Sequence, residues 1–586
     1  MKLLSIISIL LLSIFFQNCA STVSHKKLKS HVEYLASDKL KGRFPGTEGG
    51  KESAEYIKSE FEKNGLTLLG DNGFQYFDVI TGVNLGESNS FLLGSNSYKV
   101  GKDFTPLSFS KSMTHSGSIF VAGYGFSIKN DSLEWNDYSN ANLDGKWVLI
   151  FRGAPDGDNP HGPFSEHSSL RTKVMTAKDN SASGVIFVSG EEFDKGDNLI
   201  PLIYEQSQVD IGIPVVHITR NLANKILINQ TVSEIEKTIL NQQENFKPFN
   251  INNLVTAHID MNYETVQTQN IVASIPGTDP KLKDEFIIIG AHYDHLGYGG
   301  DHSGSRRPDN HEIHNGADDN ASGTSAVIEL AHEMAKKGNN KRTLVFIAFG
   351  AEEMGLLGSK YFVKNSLVKN ENIQLMMNMD MVGRLDAEKN QISIGGTQTA
   401  IDLEKSIEPL IKKSNLNHTF SPEGYGPSDH SSFYVNDIPV LFFFTGSHPD
   451  YHTPEDDADK VNYKGIASIS DLILSITSYF DSEDRLVYQE AGPKEEKKRQ
   501  RFKVTLGIMP DYTYSETKGL RVDAVLQGKP ASNAGILDGD IITSIGNKPV
   551  GDIYEYMHRL GEINPGESAP VSVLRDGKEL NYTVKF

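Results

Sequence analysis

The sequence predicts an α/β protein: a mixed, mostly parallel sheet flanked by helices, carrying a β-rich inserted domain and a C-terminal β-rich module. Three observations point there. From about Asn270 to Phe480, near-continuous apolar runs alternate with helical patterns; the runs are Phe286–Gly290, Thr343–Phe349, Gln374–Met379 and Val440–Phe444. Apolar runs without alternation mark strands buried on both faces, as in a sheet covered by helices. From about Lys111 to Val255 the texture changes to short β-like runs between polar loops: Ser118–Val121, Lys146–Phe151, Gly184–Val188 and Ile213–Ile218. Beyond the charge-dense stretch Gly492–Gln500, a compact module extends to Phe586.

A chain of 586 residues is too long for one domain. The texture divides it into a leader at 1–19, the first part of the principal domain at 26–110, an insert at 111–255, the remainder of the principal domain at 256–485, and the last module at 500–586. Residues from about Lys26 to Lys63 read as two helical stretches around the turn Leu40–Thr47. In the second stretch Ala54, Ile57 and Phe61 are spaced for one helix face, and Gly65 stops it.

Composition sets bounds on function. With 38% hydrophobic and 23% charged residues the chain is of globular type. Its formal net charge of -19 excludes a nucleic-acid backbone as the expected partner, since that requires a basic face. The N-terminus reads as a secretion leader: Lys2 is a minimal basic region, and Leu3–Phe16 is an apolar core too short for a comfortable membrane span. Cys19, the single cysteine, follows directly. A cysteine there resembles the bacterial lipoprotein processing site, with Gln17 and Asn18 departing from the small residues of that pattern. The expected location is extracytoplasmic (periplasm, outer membrane or cell surface), with membrane contact only through a lipid on Cys19.

The chemistry gathers where the apolar runs end. Open α/β sheets place their sites just past the carboxyl ends of the strands. The first run leads to Ala291-His292-Tyr293-Asp294, where His292 and Asp294 lie two apart and point the same way in extended chain. A metal-bound imidazole needs an acceptor on its second nitrogen, and a carboxylate supplies one. Next comes Asn315-Gly316-Ala317-Asp318-Asp319-Asn320-Ala321-Ser322-Gly323 ahead of a helical pattern; capping explains one acid there, not two. Thr343–Phe349 leads to Glu352-Glu353, adjacent acids whose burial is costly without a cation. One of the pair can bind metal while the other handles a metal-bound water. Gln374–Met379 ends at Asp380, and Val440–Phe444 leads to Tyr451-His452-Thr453-Pro454-Glu455. Imidazole and carboxylate donors without thiolates suit hydrolytic zinc, and one carboxylate shared between two such sets makes a two-metal site.

These motifs, in this order, resemble the co-catalytic zinc exopeptidases, the family of bacterial aminopeptidases, glutamate carboxypeptidase and glutaminyl cyclases; the resemblance extends from Val32 to about Phe480. It implies two zinc ions per chain: His292 and Asp380 complete one site, Glu353 and His452 the other, and Asp319 bridges them. It further implies a cis peptide at Asp319-Asn320, Asp294 orienting His292, and Glu352 as general base. Gly424-Tyr425-Gly426-Pro427-Ser428-Asp429-His430 resembles the segment whose tyrosine stabilises the tetrahedral intermediate, which makes Tyr425 the implied oxyanion donor. The insert resembles a protease-associated domain through Val121-Ala122-Gly123-Tyr124-Gly125, Leu143–Val148 and Ala182–Phe187. The last module resembles a PDZ domain through Gly519–Val525, Pro530–Ile536, Gly539–Ile542 and Ile545-Gly546. A peptide C-terminus or a protein partner is its implied ligand.

The implied activity is removal of N-terminal residues from peptides by a zinc metalloaminopeptidase. Three alternatives share the motifs: a zinc carboxypeptidase, for which Arg306, Arg307 and Arg384 could hold a carboxylate; a glutaminyl cyclase-like acyltransferase; and a non-catalytic binding relative. The polar loop Tyr298–His314, with His302, His311 and His314, reads most simply as a solvated loop, and alternatively as a substrate lid or accessory cation site.

Overall fold

The computed structural model describes residues 22–491, apart from 130–132, 140, 158–161, 166, 204–210, 242–245 and 301–302. It also describes residues 504–586, apart from 511–518, 526–528, 551–555, 557–558, 561–562 and 576. The leader with Cys19, the stretch Gly492–Gln500 and His302 lie outside the described residues.

Two helices open the fold. In His25–Leu35 the Ser24 side chain accepts from the Lys27 amide, and Leu28, Val32 and Leu35 face the core. The turn that follows carries left-handed backbone at Lys41 and Gly42. A side chain at Gly42 would collide with the carbonyl oxygens of Gly297 and His314 at 2.5 and 2.6 Å, so only glycine lets these loops meet. Helix Glu48–Lys63 is capped by Thr47 and buries Ala54, Ile57 and Phe61.

The principal sheet has nine strands. Its order is Thr67–Leu68, Met261–Ile275, Thr343–Phe349, Phe286–His292, Ile373–Met379, Val440–Phe444, Gln391–Gly395 and Asn417–Phe420, with Phe74–Leu85 also paired to Met261–Ile275. The four strands from Thr343–Phe349 to Val440–Phe444 are mutually parallel and form the centre. Antiparallel neighbours flank them on both sides. The central strands are buried along almost their whole length, as their unbroken apolar sequences require. Helices Gly323–Lys337 and Tyr463–Phe480 cover one face and share a core with the two opening helices.

The insert is a separate eight-stranded sheet with its own apolar cores. Parallel strands Thr114–Val121, Trp147–Phe151, Gly184–Val188 and Val215–Ile218 form its middle. Ser90–Leu93, Asn96–Tyr98 and Phe104–Pro106 also belong to this sheet, so the insert begins before residue 90 and not at 111 as the sequence texture suggests. The cause is pairing across distance. Asn96–Tyr98 pairs with its neighbour Ser90–Leu93, but that pair joins the sheet only through Phe249–His258, and Phe104–Pro106 only through Val215–Ile218, both far along the chain. The last module is a six-stranded antiparallel sheet with a short helix, Pro530–Ala534, closed by Gly535 at φ 89°. No described helix is long and apolar enough to cross a membrane.

Candidate metal centre

The four parallel strands end on one side of the sheet, and the acids and imidazoles gather there. His292 is the last residue of its strand, Asp380 directly follows Met379, and Glu352 and Glu353 follow Phe349 by three and four residues. Asp319 comes from an irregular turn, Ala317–Ser322, whose Asp319-Asn320 peptide is cis. His452 is carried on the loop after Val440–Phe444.

Two donor groups form around Asp319. In one, His292 Nε2 lies 3.3 Å from Asp319 Oδ1 and 3.4 Å from Asp380 Oδ1. In the other, His452 Nε2 lies 3.1 Å from Asp319 Oδ2 and 3.2 Å from Glu353 Oε2. His295 joins the second group, with Nδ1 2.7 Å from Glu353 Oε1 and 3.9 Å from Asp319 Oδ2. Each group offers three or more donor atoms close enough to hold one cation: His292, Asp319 and Asp380, and His295, Asp319 and Glu353. Glu352 stands beside the first group, its Oε2 3.8 Å from His292 Nε2.

The donor set fits cations. Asp319, Glu352, Glu353 and Asp380 are packed together with little water, and like charges at such range cannot all stay ionised without compensation. Burial opposes the charge on His292, yet Glu352, Asp380 and Asp319 outweigh it and push its pKa well up. His452 is pushed up to about 11: burial resists, while Glu353 and Asp319 prevail. Burial, then the neighbouring Glu353, Asp380 and Asp429, drive Glu352 well above the usual carboxylate range. Among the described residues the buried Nε2 of His295 has no hydrogen-bond partner. Hard oxygens and imidazole nitrogens, with no sulfur, form a divalent-cation cradle.

The surrounding shell departs in part from what the sequence implied. His292 Nδ1 faces the main-chain oxygen of Asp294 at 3.3 Å, while the Asp294 carboxylate is 3.9 Å away, past hydrogen-bond length. That carboxylate instead accepts from the amides of Glu352 and Glu353 at 3.0 and 3.3 Å and so fixes the loop bearing both acids. His452 Nδ1 donates to the Gly304 carbonyl at 3.0 Å, so part of the polar loop Tyr298–His314 orients a site imidazole. Asp318 points away from the two groups: it accepts from the Gly383 amide and lies 3.2 Å from His448 Nε2. Tyr425 is half-buried against the apolar cluster of Phe349, Phe433 and Tyr434.

Several residues that serve the site were given no role in the sequence reading, although Tyr451 and Asp456 stand in the His452 motif and Arg43 in the opening turn. His295 has no sequence signal beyond standing one residue after Asp294. Tyr451 stacks on His452 with ring centroids 3.8 Å apart, and its phenol is held protonated by burial and by Asp319, Glu353, Asp380 and Glu352. Asp456 Oδ2 accepts from the amides of Asp318 and Asp319 at 2.9 and 3.0 Å, fixing the turn that presents the shared carboxylate. Arg43, wholly buried, donates to the carbonyls of Tyr293, Leu35, Asn315 and Gly316 at 2.6–3.0 Å. It thereby ties the His292 strand end to the Asp319 turn, and burial drops its pKa to about 10.

Three parts of the chain match known family models. Residues 270–477 match the model of peptidase family M28, residues 117–226 the PA domain, and residues 503–586 the PDZ domain. Over 477 residues the chain is 24% identical to aminopeptidase YwaD of Bacillus subtilis, covering 80% of this chain and 86% of that protein. It is 28% identical over 204 residues to a probable leucine aminopeptidase of Trichophyton verrucosum, covering 33% of this chain but only 52% of that protein. The solved aminopeptidase from Aneurinibacillus sp. strain AM-1 aligns over 80% of this chain and 96% of its own, at 21% identity and a TM-score of 0.46.

Proposed function

We propose, from the match of residues 270–477 to peptidase family M28, that the chain is a zinc-dependent aminopeptidase that removes N-terminal residues from peptides. The observation that carries this reading is the pair of donor groups sharing Asp319, with Glu352 beside them. The relatives named above are called aminopeptidases, and one of them is matched along most of its length.

In this reading two zinc ions are held per chain. His292, Asp319 and Asp380 hold one; Asp319, Glu353 and His452 hold the other, with His295 beside Glu353. The bound ions would supply Lewis-acid polarisation of the scissile carbonyl and a water acidified to near neutrality. The protein supplies the proton path. Glu352, in its ionised form, takes the proton of the attacking water and returns it to the leaving amine, and the surroundings that raise its proton affinity strengthen it as a base. Asp294 serves Glu352 by fixing its backbone. The oxyanion takes a hydrogen bond from a phenol: Tyr425 in the motif reading, with Tyr451 on His452 as the second phenol available. The carboxylate-rich pocket suits a free α-ammonium through charge-assisted hydrogen bonds.

The carboxypeptidase reading needs a free cationic clamp. Arg307 pairs with Glu455, and Arg306 donates to the Pro449 carbonyl. Arg384 is engaged by Asp450 and Asp456 at 3.1 and 3.0 Å. All three arginines raised by the sequence are already committed, which favours the aminopeptidase. The test compares one short peptide with free ends, N-acetylated, and C-amidated. The expected result is loss of the acetylated substrate and retention of the amidated one. The reverse pattern would establish a carboxypeptidase, and cyclisation of an N-terminal glutamine without hydrolysis would establish an acyltransferase. Turnover of nothing would leave a binding protein.

We also propose that the chain works outside the cytoplasm, anchored through a lipid on Cys19, and that the PDZ domain receives a peptide C-terminus or a protein partner.

A further inference from the structure

His295 is fully buried and touches every part of the second donor group. Its Nδ1 lies 2.7 Å from Glu353 Oε1. An ionised carboxylate has no hydrogen to give, so the bond fixes the tautomer: Nδ1 donates and Oε1 accepts. The ring stands edge-on to the His452 imidazole, with centroids 5.6 Å apart and planes at 72°. Its Cγ–Cδ2 edge is pressed on Gly316, where the first carbon of a side chain would stand 2.6 and 2.5 Å from those two atoms. Gly316, in left-handed backbone at φ 56°, opens the turn that presents Asp319. The imidazole is thus wedged among the three segments that bring Asp319, Glu353 and His452 together.

Such a ring can be a ligand or a support, and its contacts separate the two roles. The Glu353 carboxylate is divided: Oε1 faces His295, while Oε2 lies 3.2 Å from His452 Nε2, itself 3.1 Å from Asp319 Oδ2. His295 Nδ1 stands farther from Asp319 Oδ2, at 3.9 Å. A nitrogen that carries the hydrogen of a 2.7 Å bond has no lone pair for a cation. A ligating imidazole also needs an acceptor for its other nitrogen. His452 Nδ1 has one in the Gly304 carbonyl; among the described residues His295 Nε2 has none.

We propose that His295 is a positioning residue for the second metal site: its Nδ1–H holds Glu353 Oε1 and so turns Oε2 toward the cation shared with Asp319 and His452. The inference rests on the two-zinc reading and goes beyond it, because it assigns the third imidazole of the centre to support and not to ligation. With Oε1 released, the carboxylate is free to swing about its terminal bond and away from His452. Supports of this kind contribute about 10–100-fold in metal affinity. The contacts of the ring lie on the His452 side of Asp319, so the site of His292 and Asp380 should be spared.

The experiment uses the full chain, loaded with zinc and titrated with a competing chelator while zinc per chain is counted. Wild type should release two ions. His295→Leu keeps the bulk and removes the donor; one ion should then bind about 10–100-fold more weakly, with the other unchanged. His295→Asn, whose side-chain amide can again donate to Oε1, should recover most of the loss. Wild-type affinity for both ions in His295→Leu would reduce the ring to packing, and equal losses in the leucine and asparagine variants would make it a ligand; either result overturns the proposal. Nitrogen NMR of the zinc-loaded wild type tests the same point without a variant that must fold. His295 Nδ1 should keep its proton there, and a proton-free, zinc-bound Nδ1 would overturn the assignment. A wild type that holds fewer than two ions would instead sink the two-zinc reading, and this inference with it.

Discussion

Glu352 and Glu353 are neighbours of the same chemical type that the fold drives in opposite directions. Burial opposes ionisation of Glu353, but His452, helped by hydrogen bonds from His295 and His452, drops it to about 2. Glu352 is pushed up by burial and by the acids around it, which outweigh His292 3.8 Å away. A ligand must be ionised and a proton carrier must be able to hold its proton, so the two environments suit the two proposed roles. Glu352→Gln should therefore keep its metal and lose about 10²–10⁴-fold in kcat. Glu353→Gln should lose metal along with activity. Elemental analysis beside turnover separates the two, and near-normal turnover by Glu352→Gln would assign the base elsewhere. The sequence alone could not rank these two acids, because their difference arises from His452 and His295, which arrive from remote segments.

At the scale of elements, the strand ends were legible because a buried strand leaves an unbroken apolar run and its site residue stands next to it. Thr343–Phe349 and Val440–Phe444 have the same limits in sequence and structure. What stayed hidden was anything set by long-range contact: the edge strands of the insert, the turn of Asp318 away from the shared carboxylate, and the carbonyls gathered by Arg43. The insert also hides a titration. His217 sits fully buried on Val215–Ile218, where its Nδ1 accepts from the Ile200 amide and Nε2 lies 3.1 Å from Ser189 Oγ. Burial, then Arg152, drop its pKa to about 3 from the ordinary 6.5. The folded insert thus keeps the ring neutral while the unfolded chain takes up a proton below pH 6.5. Stability is complete above pH 6.5 and falls as the pH drops toward 3. Between pH 6.5 and 5 the loss should be about 2 kcal/mol. His217→Gln removes this proton uptake. Denaturation of both proteins at pH 7 and pH 5 should show the wild type losing more by about that amount, and parallel losses would show that His217 is not held neutral.

For the whole molecule, the arrangement is a peptidase domain split by one module and followed by another. If Cys19 bears a lipid, the wild type should fractionate with membranes and Cys19→Ala with the soluble protein; unchanged fractionation would leave a plain secretion leader. The split has a consequence for how the chain is made. Phe74–Leu85 pairs along its length with residues 261–271 of Met261–Ile275, with one bulge between Glu264 and Thr265, Leu85 facing Met261 at the point where the insert departs. The two strands are thus the arms of a hairpin whose connecting loop is an entire domain. During synthesis the first arm emerges early and waits, its backbone edge unpaired, until residues 86–260 have been made. An open strand edge invites pairing with the wrong chain, and contacts so distant in sequence are slow to form. An insert that folds by itself brings its two ends together and shortens that wait. The register of one strand pair therefore requires that the insert be synthesised before the peptidase sheet can close.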